Sequence, residues 1–254
     1  MSILEVNGLK KVYSTRLGGN KVEALKNVNF SVSEGEYVAI MGESGSGKTT
    51  LLNILAALDR PTSGSVMIDG RDLSKIKDSA VCAFRRDNLG FVFQDFNLLD
   101  TFTVEDNIYL PLVLAGKSYD EMHSRLEPIA KRLGITELLK KYPYEISGGQ
   151  KQRAAVARAL ITEPRIILAD EPTGALESKS TDELLRLFTE VNALGQTILM
   201  VTHSVKAASS AKRVLFIKDG EVFHQIYRGV DTDSQLYQKI SETLTLLATG
   251  GERK

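Results

Sequence analysis

The chain has 254 residues, enough for one large domain or two small ones around a substantial hydrophobic core. Basic and acidic residues number 32 each, so the net charge is zero and a nucleic-acid partner is not expected. No apolar run approaches the roughly 20 residues of a membrane-spanning helix, and residues 1–14 lack a signal-peptide core, which predicts a cytoplasmic protein.

Cysteine and histidine are too sparse to suggest a disulfide-bonded or metal-bound scaffold. Cys82 is the only cysteine, which excludes an internal disulfide, and its amphipathic surroundings predict a small buried hydrophobe rather than a nucleophile. The histidines lack metal-ligand spacing, so we predict no structural metal; they are His123, His203 and His224.

The first third of the chain predicts strands. Residues 3–30 alternate apolar and polar side chains around a glycine-rich turn at 18–20, which is typical of an antiparallel strand pair. Apolar runs predict three further short strands, at 37–41, at 65–68 before a tight turn, and at 89–93.

The stretch from Gly42 to Thr49 matches the phosphate-loop pattern G-x-x-x-x-G-K-[ST] without a mismatch. A strand before it and a helix from residue 50 provide the context that the pattern requires, which disfavours a chance glycine-rich turn. In such a loop Lys48 reaches the β- and γ-phosphates, and the Thr49 hydroxyl ligates Mg²⁺. We predict a nucleoside triphosphate held by Gly42, Glu43, Ser44, Gly45, Ser46, Gly47, Lys48, Thr49 and Thr50.

From about residue 95 to residue 160 the pattern becomes helical. Gly134 suits the position after the end of one of these helices. Pro128 lies inside the same helix, where a proline costs about 3 kcal/mol, so we expect two helical pieces rather than one.

The C-terminal part returns to strands and helices in alternation. Strands are predicted at 165–169 and 197–201, a helix between them ends near Gly195, and a last hairpin covers 213–225. Such units around a phosphate loop predict a mainly parallel α/β sheet covered by helices. The tail from 231 to 254 is predicted to be a surface helix with a frayed end.

Two carboxylates follow the predicted strand at 165–169. A buried strand would place Asp170 beside the Mg²⁺ that bridges the phosphates. Glu171 would then polarise a water in line with the γ-phosphate, as a general base. The simpler interpretation is an apolar strand with two acidic residues at its exposed end, but the phosphate loop favours the catalytic one.

The stretch ISGGQKQR at 146–153 is a second candidate anion site. Ser147 and two glycines open a predicted helix that runs to about Ile161, and exposed N–H groups, a hydroxyl and the helix dipole attract an anion there. In isolation this stretch would be interpreted as an ordinary N-cap with a flexible turn. One triphosphate, however, does not need two phosphate cradles within one chain.

ISGGQ between a phosphate loop and an acidic strand end resembles the signature of the ATP-binding-cassette (ABC) ATPases. The resemblance covers essentially residues 3–223, with the motifs in the same order. It implies ATP as the nucleotide, Mg²⁺, and a head-to-tail dimer of two copies of the chain. In that dimer, ATP on the phosphate loop of one copy is closed in by Ser147, Gly148, Gly149 and Gln150 of the other.

Three further positions resemble the family's site, although each could also be an ordinary structural residue. Tyr13 resembles the aromatic residue that stacks on adenine, Gln94 the glutamine that touches Mg²⁺ and the attacking water, and His203 the histidine that contacts the γ-phosphate. Glu177 stands where the family usually has aspartate, which leaves the role of its loop open. The resemblance therefore implies Glu171, His203 and Gln94 as catalytic residues and Thr49, Gln94 and Asp170 as metal ligands.

The resemblance also implies the fold class. We expect an α/β fold with a phosphate-loop (RecA-like), mainly parallel sheet, an N-terminal antiparallel β-subdomain and an inserted α-helical signature subdomain. Residues 1–230 would form one ATPase domain, with its core at 1–94 and 161–230 and the helical subdomain at 95–160. Residues 231–254 would form the helical tail.

Within the family, several segments resemble cassettes of membrane transporters. Those within 91–112 resemble macrolide-exporter, lipoprotein-release and cell-division cassettes, and those at 172–176 and 213–220 resemble the bacitracin-type antimicrobial-peptide resistance group. This implies an ATPase that powers a membrane permease from the cytoplasmic face of the membrane. The alternative is a regulatory ATPase that signals through a non-transporting membrane partner.

We expect the permease to dock near residues 94–103. This segment begins at Gln94, which the resemblance places at the nucleotide, and Phe96, Leu98 and Leu99 are predicted on its surface. The alternative is that these apolar side chains form plain core of the helical segment.

Overall fold

The computed structural model describes residues 1–14 and 21–248. The strands are β1 (Ser2–Ser14), β2 (Lys21–Ser33), β3 (Tyr37–Met41), β4 (Ser63–Ile68), β5 (Arg71–Asp72), β6 (Leu89–Phe93), β7 (Ile166–Asp170), β8 (Thr197–Val201), β9 (Arg213–Lys218) and β10 (Glu221–Tyr227). The α-helices are α1 (Lys48–Leu55), α2 (Asp78–Asn88), α3 (Val104–Leu114), α4 (Tyr119–Leu133), α5 (Gly148–Leu160), α6 (Ser178–Ala193), α7 (Val205–Ala208) and α8 (Asp233–Ala248). In this part of the chain, no helix is both long and apolar enough to cross a bilayer.

The smaller sheet is antiparallel, with the strand order β2-β1-β4-β5. β1 pairs with β2 along its length, and register shifts interrupt the ladder. The inward side chains of these two strands include Leu4, Leu9, Leu25 and Val28, all with no exposed area. This sheet confirms the predicted N-terminal strand pair, whereas the predicted turn at 18–20 lies outside the described residues.

The larger sheet has the order β10-β9-β3-β8-β7-β6, and all of its strands run parallel except β10. Its central strands are buried on both faces, because helices and the smaller sheet cover them. On β3, Tyr37, Ala39 and Met41 join one core cluster, and Val38 and Ile40 join the other. The predicted mainly parallel, covered α/β sheet is confirmed.

The helices α3, α4 and α5 lie in the chain between β6 and β7. α4 continues through Pro128, so the predicted division of this helix is wrong. Pro128 and Ser124, the residue whose carbonyl loses its helical partner, are both exposed, so water can satisfy that carbonyl. The buried stripe of α4 faces the core without interruption, and Gly134 ends the helix with φ 62°, as predicted.

Cys82 lies on α2 and is exposed, so the prediction of a buried cysteine is wrong. α2 buries only Phe84 and Asn88, and its remaining side chains are partly or fully exposed. The Cys82 sulfur lies 3.3 Å from Arg85 Nη2, which donates to it. The amphipathic surroundings of Cys82 therefore did not reveal that this residue lies on an exposed face of α2.

The C-terminal helix α8 is anchored in the core. Leu236 and Ile240 have no exposed area and belong to one of the two core clusters. At the start of the helix, the Arg228 guanidinium donates to the Ser209 carbonyl and pairs with Asp233. The predicted helix is confirmed, but its predicted position as a mere surface element is wrong, and residues 249–254 lie outside the described chain.

Candidate active site

Four neighbouring parallel strands end at one edge of the larger sheet. Register pairs β3 with β8, β8 with β7, and β7 with β6, so their carboxyl ends lie side by side. In open α/β sheets, ligands bind at this edge. The residues that follow the four strands are Gly42 after β3, His203 after β8, Glu171 after β7 and Gln94 after β6.

The loop from Gly42 to Gly47 curls tightly between β3 and α1. Gly45 and Gly47 have φ values of 80° and 102°, a region that favours glycine. A Cβ on Gly42 would lie 2.3 Å from the Ile217 carbonyl oxygen, and one on Gly47 would lie 2.5 Å from that of Ala24. Glycine is therefore required at both ends of the loop.

Lys48 lies at the first position of α1 and turns back over the loop. Its Nζ donates to the carbonyls of Gly42 at 2.7 Å and Glu43 at 2.8 Å. Burial lowers the pKa of this ammonium, and the carboxylates of Glu171 and Asp170 oppose that shift. The cation and the two carboxylates therefore act on one another within the same site.

Glu171 follows β7 with a left-handed φ of 44°, a conformation that costs a non-glycine residue about 1–3 kcal/mol. Its carboxylate accepts the backbone N–H of His203 at 3.1 Å and lies 2.9 Å from His203 Nδ1. The side chain of Glu171 is 17% exposed and that of His203 is 74% exposed. His203 thus covers the carboxylate from the solvent side.

Gln94 is exposed directly after β6 and packs on the loop that follows Glu171. A Cβ on Gly174 would lie 2.9 Å from Gln94 Cδ, so a larger residue there would displace this amide from its position. The Gly174 N–H donates to the Glu171 carbonyl at 2.9 Å. The structure therefore brings Gln94, Glu171 and His203 to one edge, as the sequence predicted for their positions.

Tyr13 reaches the phosphate-loop helix from the smaller sheet. Its ring is partly exposed, its hydroxyl donates to Asp59 at 2.8 Å, and Lys11 Nζ lies 4.8 Å from the ring centroid. Burial and the Asp59 hydrogen bond raise the pKa of Tyr13, and a hydrogen bond with the Thr50 side chain opposes this. The exposed ring is therefore linked through its hydroxyl to Asp59, which follows α1.

Ser147 to Gln150 form a capping box at the start of α5. The Ser147 N–H donates to Gln150 Oε1 at 2.9 Å, and the Gln150 N–H donates to Ser147 Oγ at 3.4 Å. A Cβ on Gly149 would lie 2.7 Å from Ser180 Oγ, and one on Gly148 would touch Phe96 and Leu176. Among the described residues, this turn makes no hydrogen bond to the phosphate loop of its own chain.

Arg158 is a residue of this region that the sequence analysis missed. From α5 it donates to the carbonyls of Phe96 and Asn97, which have left-handed φ values of 61° and 50°. It thereby holds the start of the segment that follows Gln94. The available signal was an arginine inside an otherwise alanine- and leucine-rich turn, which by itself indicates no partner.

The sequence profile described as ABC transporter matches residues 25–174, more than half of the chain. The chain belongs to the ABC transporter family. This ABC cassette is an ATP-binding ATPase subunit, and the predicted family, fold and activity are confirmed.

Relatives and solved structures match this cassette over most of its length. It is 49% identical over 247 residues to the ABC transporter ATP-binding protein YxdL of Bacillus subtilis (strain 168). That alignment covers 97% of this chain and 95% of YxdL. It is 48% identical over 248 residues to the bacitracin export ATP-binding protein BceA of Halalkalibacterium halodurans, with 97% of each chain covered. A dimeric post-hydrolysis state of the cassette MJ0796, bound to ADP and Pi, matches with a TM-score of 0.79 at 40% identity, covering 88% of this chain and 98% of that one.

Two features of the cassette site fit a nucleotide with a divalent cation. The Ser46 hydroxyl is buried within the phosphate loop and has no hydrogen-bond partner among the described residues. Burial and the neighbouring Glu171 raise the pKa of Asp170, a shift that a bound cation would reverse. In the described residues, no group of three or more His, Cys, Asp or Glu side chains is arranged to hold a metal by itself.

Proposed function

We propose that this cassette hydrolyses ATP as a head-to-tail dimer and so powers a membrane permease that exports or counters peptide antibiotics. The observation that carries the chemistry is the Glu171 carboxylate, held by His203 at the sheet edge where the phosphate loop begins. The similarity to a bacitracin export protein supports the peptide branch. The dimeric state of the similar cassette MJ0796 supports the pairing of two copies.

ATP would lie with its phosphates in the loop from Gly42 to Thr50 and its adenine against Tyr13. Backbone N–H groups of a curled loop and the start of α1 provide donors for phosphate oxygens. Lys48 would exchange its contacts with two loop carbonyls for the β- and γ-phosphates. The exposed Tyr13 ring, whose hydroxyl donates to Asp59, offers a flat surface on which the adenine would stack.

Thr49, Gln94 and Asp170 would hold Mg²⁺ together with phosphate oxygens and water. Mg²⁺ commonly takes only one or two carboxylates from a protein, which suits a site with a single half-buried aspartate beside the phosphate loop. When bound, it supplies positive charge that stabilises the phosphate oxygens during transfer.

Glu171 would act as the general base. Its carboxylate accepts a proton from water as the water oxygen attacks the γ-phosphorus and the bond to the β-phosphate oxygen breaks, giving ADP and phosphate. His203 holds this carboxylate through its backbone N–H and would contact the γ-phosphate with its exposed ring. Gln94, on the neighbouring strand end, would orient the water.

The turn Ser147 to Gln150 would close on ATP bound to the other copy. Phe96, Leu176 and Ser180 are its neighbours in its own chain, and among the described residues it makes no hydrogen bond to the phosphate loop. The capping box holds the turn in shape at the positive end of α5, which favours contact with an anion. Two such turns and two phosphate loops would enclose two ATP molecules.

Ser147→Arg is expected to leave ATP binding by the monomer intact and to prevent ATP-dependent dimerisation. The longer side chain would fill the space that the partner's γ-phosphate needs. Light scattering of a Glu171→Gln background with ATP measures the effect. Ser118→Arg is the matched control, because Ser118 caps α4 in the same way, away from the sheet edge. Dimerisation that survives Ser147→Arg would show that this turn is only a helix cap.

A largely apolar groove of about 600 Å³ adjoins the segment at 94–103. We propose that the permease docks in this groove. Leu99 is exposed as predicted, whereas Phe96 is half-buried and Leu98 packs partly against the core, so the surface prediction is wrong for these two. The groove is lined by residues that include Leu58, Cys82, Phe91, Phe93, Asn97, Leu110 and Leu114.

Leu114→Asp is expected to reduce co-purification with the permease by about tenfold or more, because a charge in the groove must be desolvated on docking. Leu114 is 69% exposed, so the substitution should not disturb folding. Leu194→Asp is the matched control, since Leu194 is 62% exposed at the end of α6 and lies outside the groove.

The same complex tests the peptide branch. In vesicles, a peptide antibiotic is expected to stimulate ATPase activity of the wild-type complex and of Leu194→Asp, but not of Leu114→Asp. Full stimulation with Leu114→Asp would place docking elsewhere. A wild-type complex that does not respond to any peptide antibiotic would contradict the proposed substrate class.

A further inference from the structure

The C-terminal helix α8 ends against the phosphate loop of its own chain. Leu236 and Ile240 anchor the first half of the helix in the core. Further along, Leu244 and Leu247 are half-buried and pack against the same cluster. These two leucines also line a cavity of about 130 Å³ whose opposite wall is the loop from Gly42 to Ser46.

Lys218 connects the end of α8 with the turn that supports this loop. Its Nζ donates to the Leu247 carbonyl at 3.1 Å. The positive charge of Lys218 also interacts favourably with the negative, C-terminal end of the helix dipole. Two residues further on, the Gly220 N–H donates to the Ser46 carbonyl at 3.2 Å. The helix end, the β9–β10 turn and the phosphate loop are thus joined by direct contacts.

The loop is closely packed on one outer side and bordered by the cavity on the other. Against β9, Gly42 is so close to the Ile217 carbonyl that no Cβ would fit. Toward α8 lies the small cavity, and Ser46, which lines it, has a buried hydroxyl that finds no hydrogen-bond partner within residues 1–14 and 21–248. The end of α8 therefore forms the wall that faces the phosphate loop across this cavity.

We infer that Leu244, Leu247 and Lys218 are positioning residues that hold the phosphate loop in its ATP-binding shape from outside. The inference rests on the proposed role of that loop in binding ATP. A site held in shape beforehand loses less entropy on binding, so these residues set the affinity for ATP without touching it. They leave the chemical step unaffected, because the proposed base Glu171 and its partner His203 follow β7 and β8, whereas the phosphate loop follows β3.

The test compares two variants of the full chain, Leu244→Ala/Leu247→Ala and Lys218→Met, with the wild type. Tyr237→Ala is the control, because Tyr237 lies on the exposed side of α8. ATP titration gives Kd, and steady-state assays separate KM from kcat. We expect Kd and KM to rise about fivefold in the double variant and about twofold in Lys218→Met, with kcat unchanged. Tyr237→Ala is expected to match the wild type.

Hydrogen exchange distinguishes positioning from general destabilisation. Faster exchange is expected at the amides of residues 42–48 in both variants, with exchange in β3 unchanged. Unchanged Kd in both variants, or a loss of kcat as large as the rise in KM, would overturn the inference. Should the double variant not fold, Lys218→Met decides the question alone.

Lys48→Ala, measured in parallel, distinguishes a failure of the proposed ATP site from a failure of the positioning role. If it leaves ATP affinity unchanged, the proposed phosphate-loop site itself fails. If it lowers ATP affinity while Leu244→Ala/Leu247→Ala and Lys218→Met bind ATP like the wild type, only the positioning role of these three residues fails.

Discussion

Glu171→Gln is expected to slow ATP hydrolysis by at least about 100-fold while ATP still binds. The amide has nearly the same shape and keeps an oxygen that can accept the His203 N–H, but it cannot take a proton from water. Removing the carboxylate charge also lessens repulsion of the γ-phosphate, so the ATP-bound dimer should persist. Phosphate release measures turnover, and light scattering measures the dimer.

Glu163→Gln is the matched control for this substitution. Glu163 also has a left-handed backbone, with φ 54°, and its side chain is exposed between α5 and β7. Any effect of removing a carboxylate from a strained glutamate in general would appear in both variants. Turnover of Glu171→Gln near the wild-type rate would exclude Glu171 as the base.

Lys48→Ala is expected to weaken ATP binding by about 10- to 100-fold, the effect of losing a charge-assisted hydrogen bond to phosphate. The backbone N–H groups of the loop can still donate to the phosphates, but the first turn of α1 contains no second lysine that could replace the lost charge. The variant also frees the Gly42 and Glu43 carbonyls, both at the loop's edge, from their shared donor. Calorimetric titration with ATP measures the loss.

Lys131→Ala controls for the removal of a lysine from a helix. Lys131 is exposed in the last turn of α4, away from the sheet edge. It is expected to bind ATP like the wild type. Equal ATP affinity in Lys48→Ala and Lys131→Ala would contradict the placement of the phosphates on this loop.

Local patterns predicted the elements that position the site. β3, β6 and β8 have the same bounds as the apolar runs from which they were predicted, because the strands of a covered parallel sheet are apolar at nearly every position. The phosphate loop, the acidic end of β7 and the turn before α5 were also located from short motifs. Gln94 and His203 were assigned to the site only through the family resemblance, and the parallel strands place them at one edge with Glu171.

The features that the sequence did not predict depend on contacts between distant segments. Pro128 stays within a continuous helix because its side of α4 faces water. Cys82 is exposed because it lies on the face of α2 that borders the open groove. The clamp by Arg158 and the contact between Lys218 and Leu247 join residues far apart in the chain, and neither has a local pattern that names its partner.

α5 connects two separate surfaces of the cassette. Its first turn follows Ser147, and three turns later Arg158 binds the carbonyls of Phe96 and Asn97 beside the groove. A helix of 13 residues is roughly 20 Å long and moves as a unit. If the turn from Ser147 to Gln150 closes on a second copy as proposed, the movement would therefore also shift the wall of the groove. Thermodynamic linkage then makes the effect reciprocal. If bound ATP raises the affinity of the groove for its partner by some factor, the bound partner raises the affinity for ATP by the same factor.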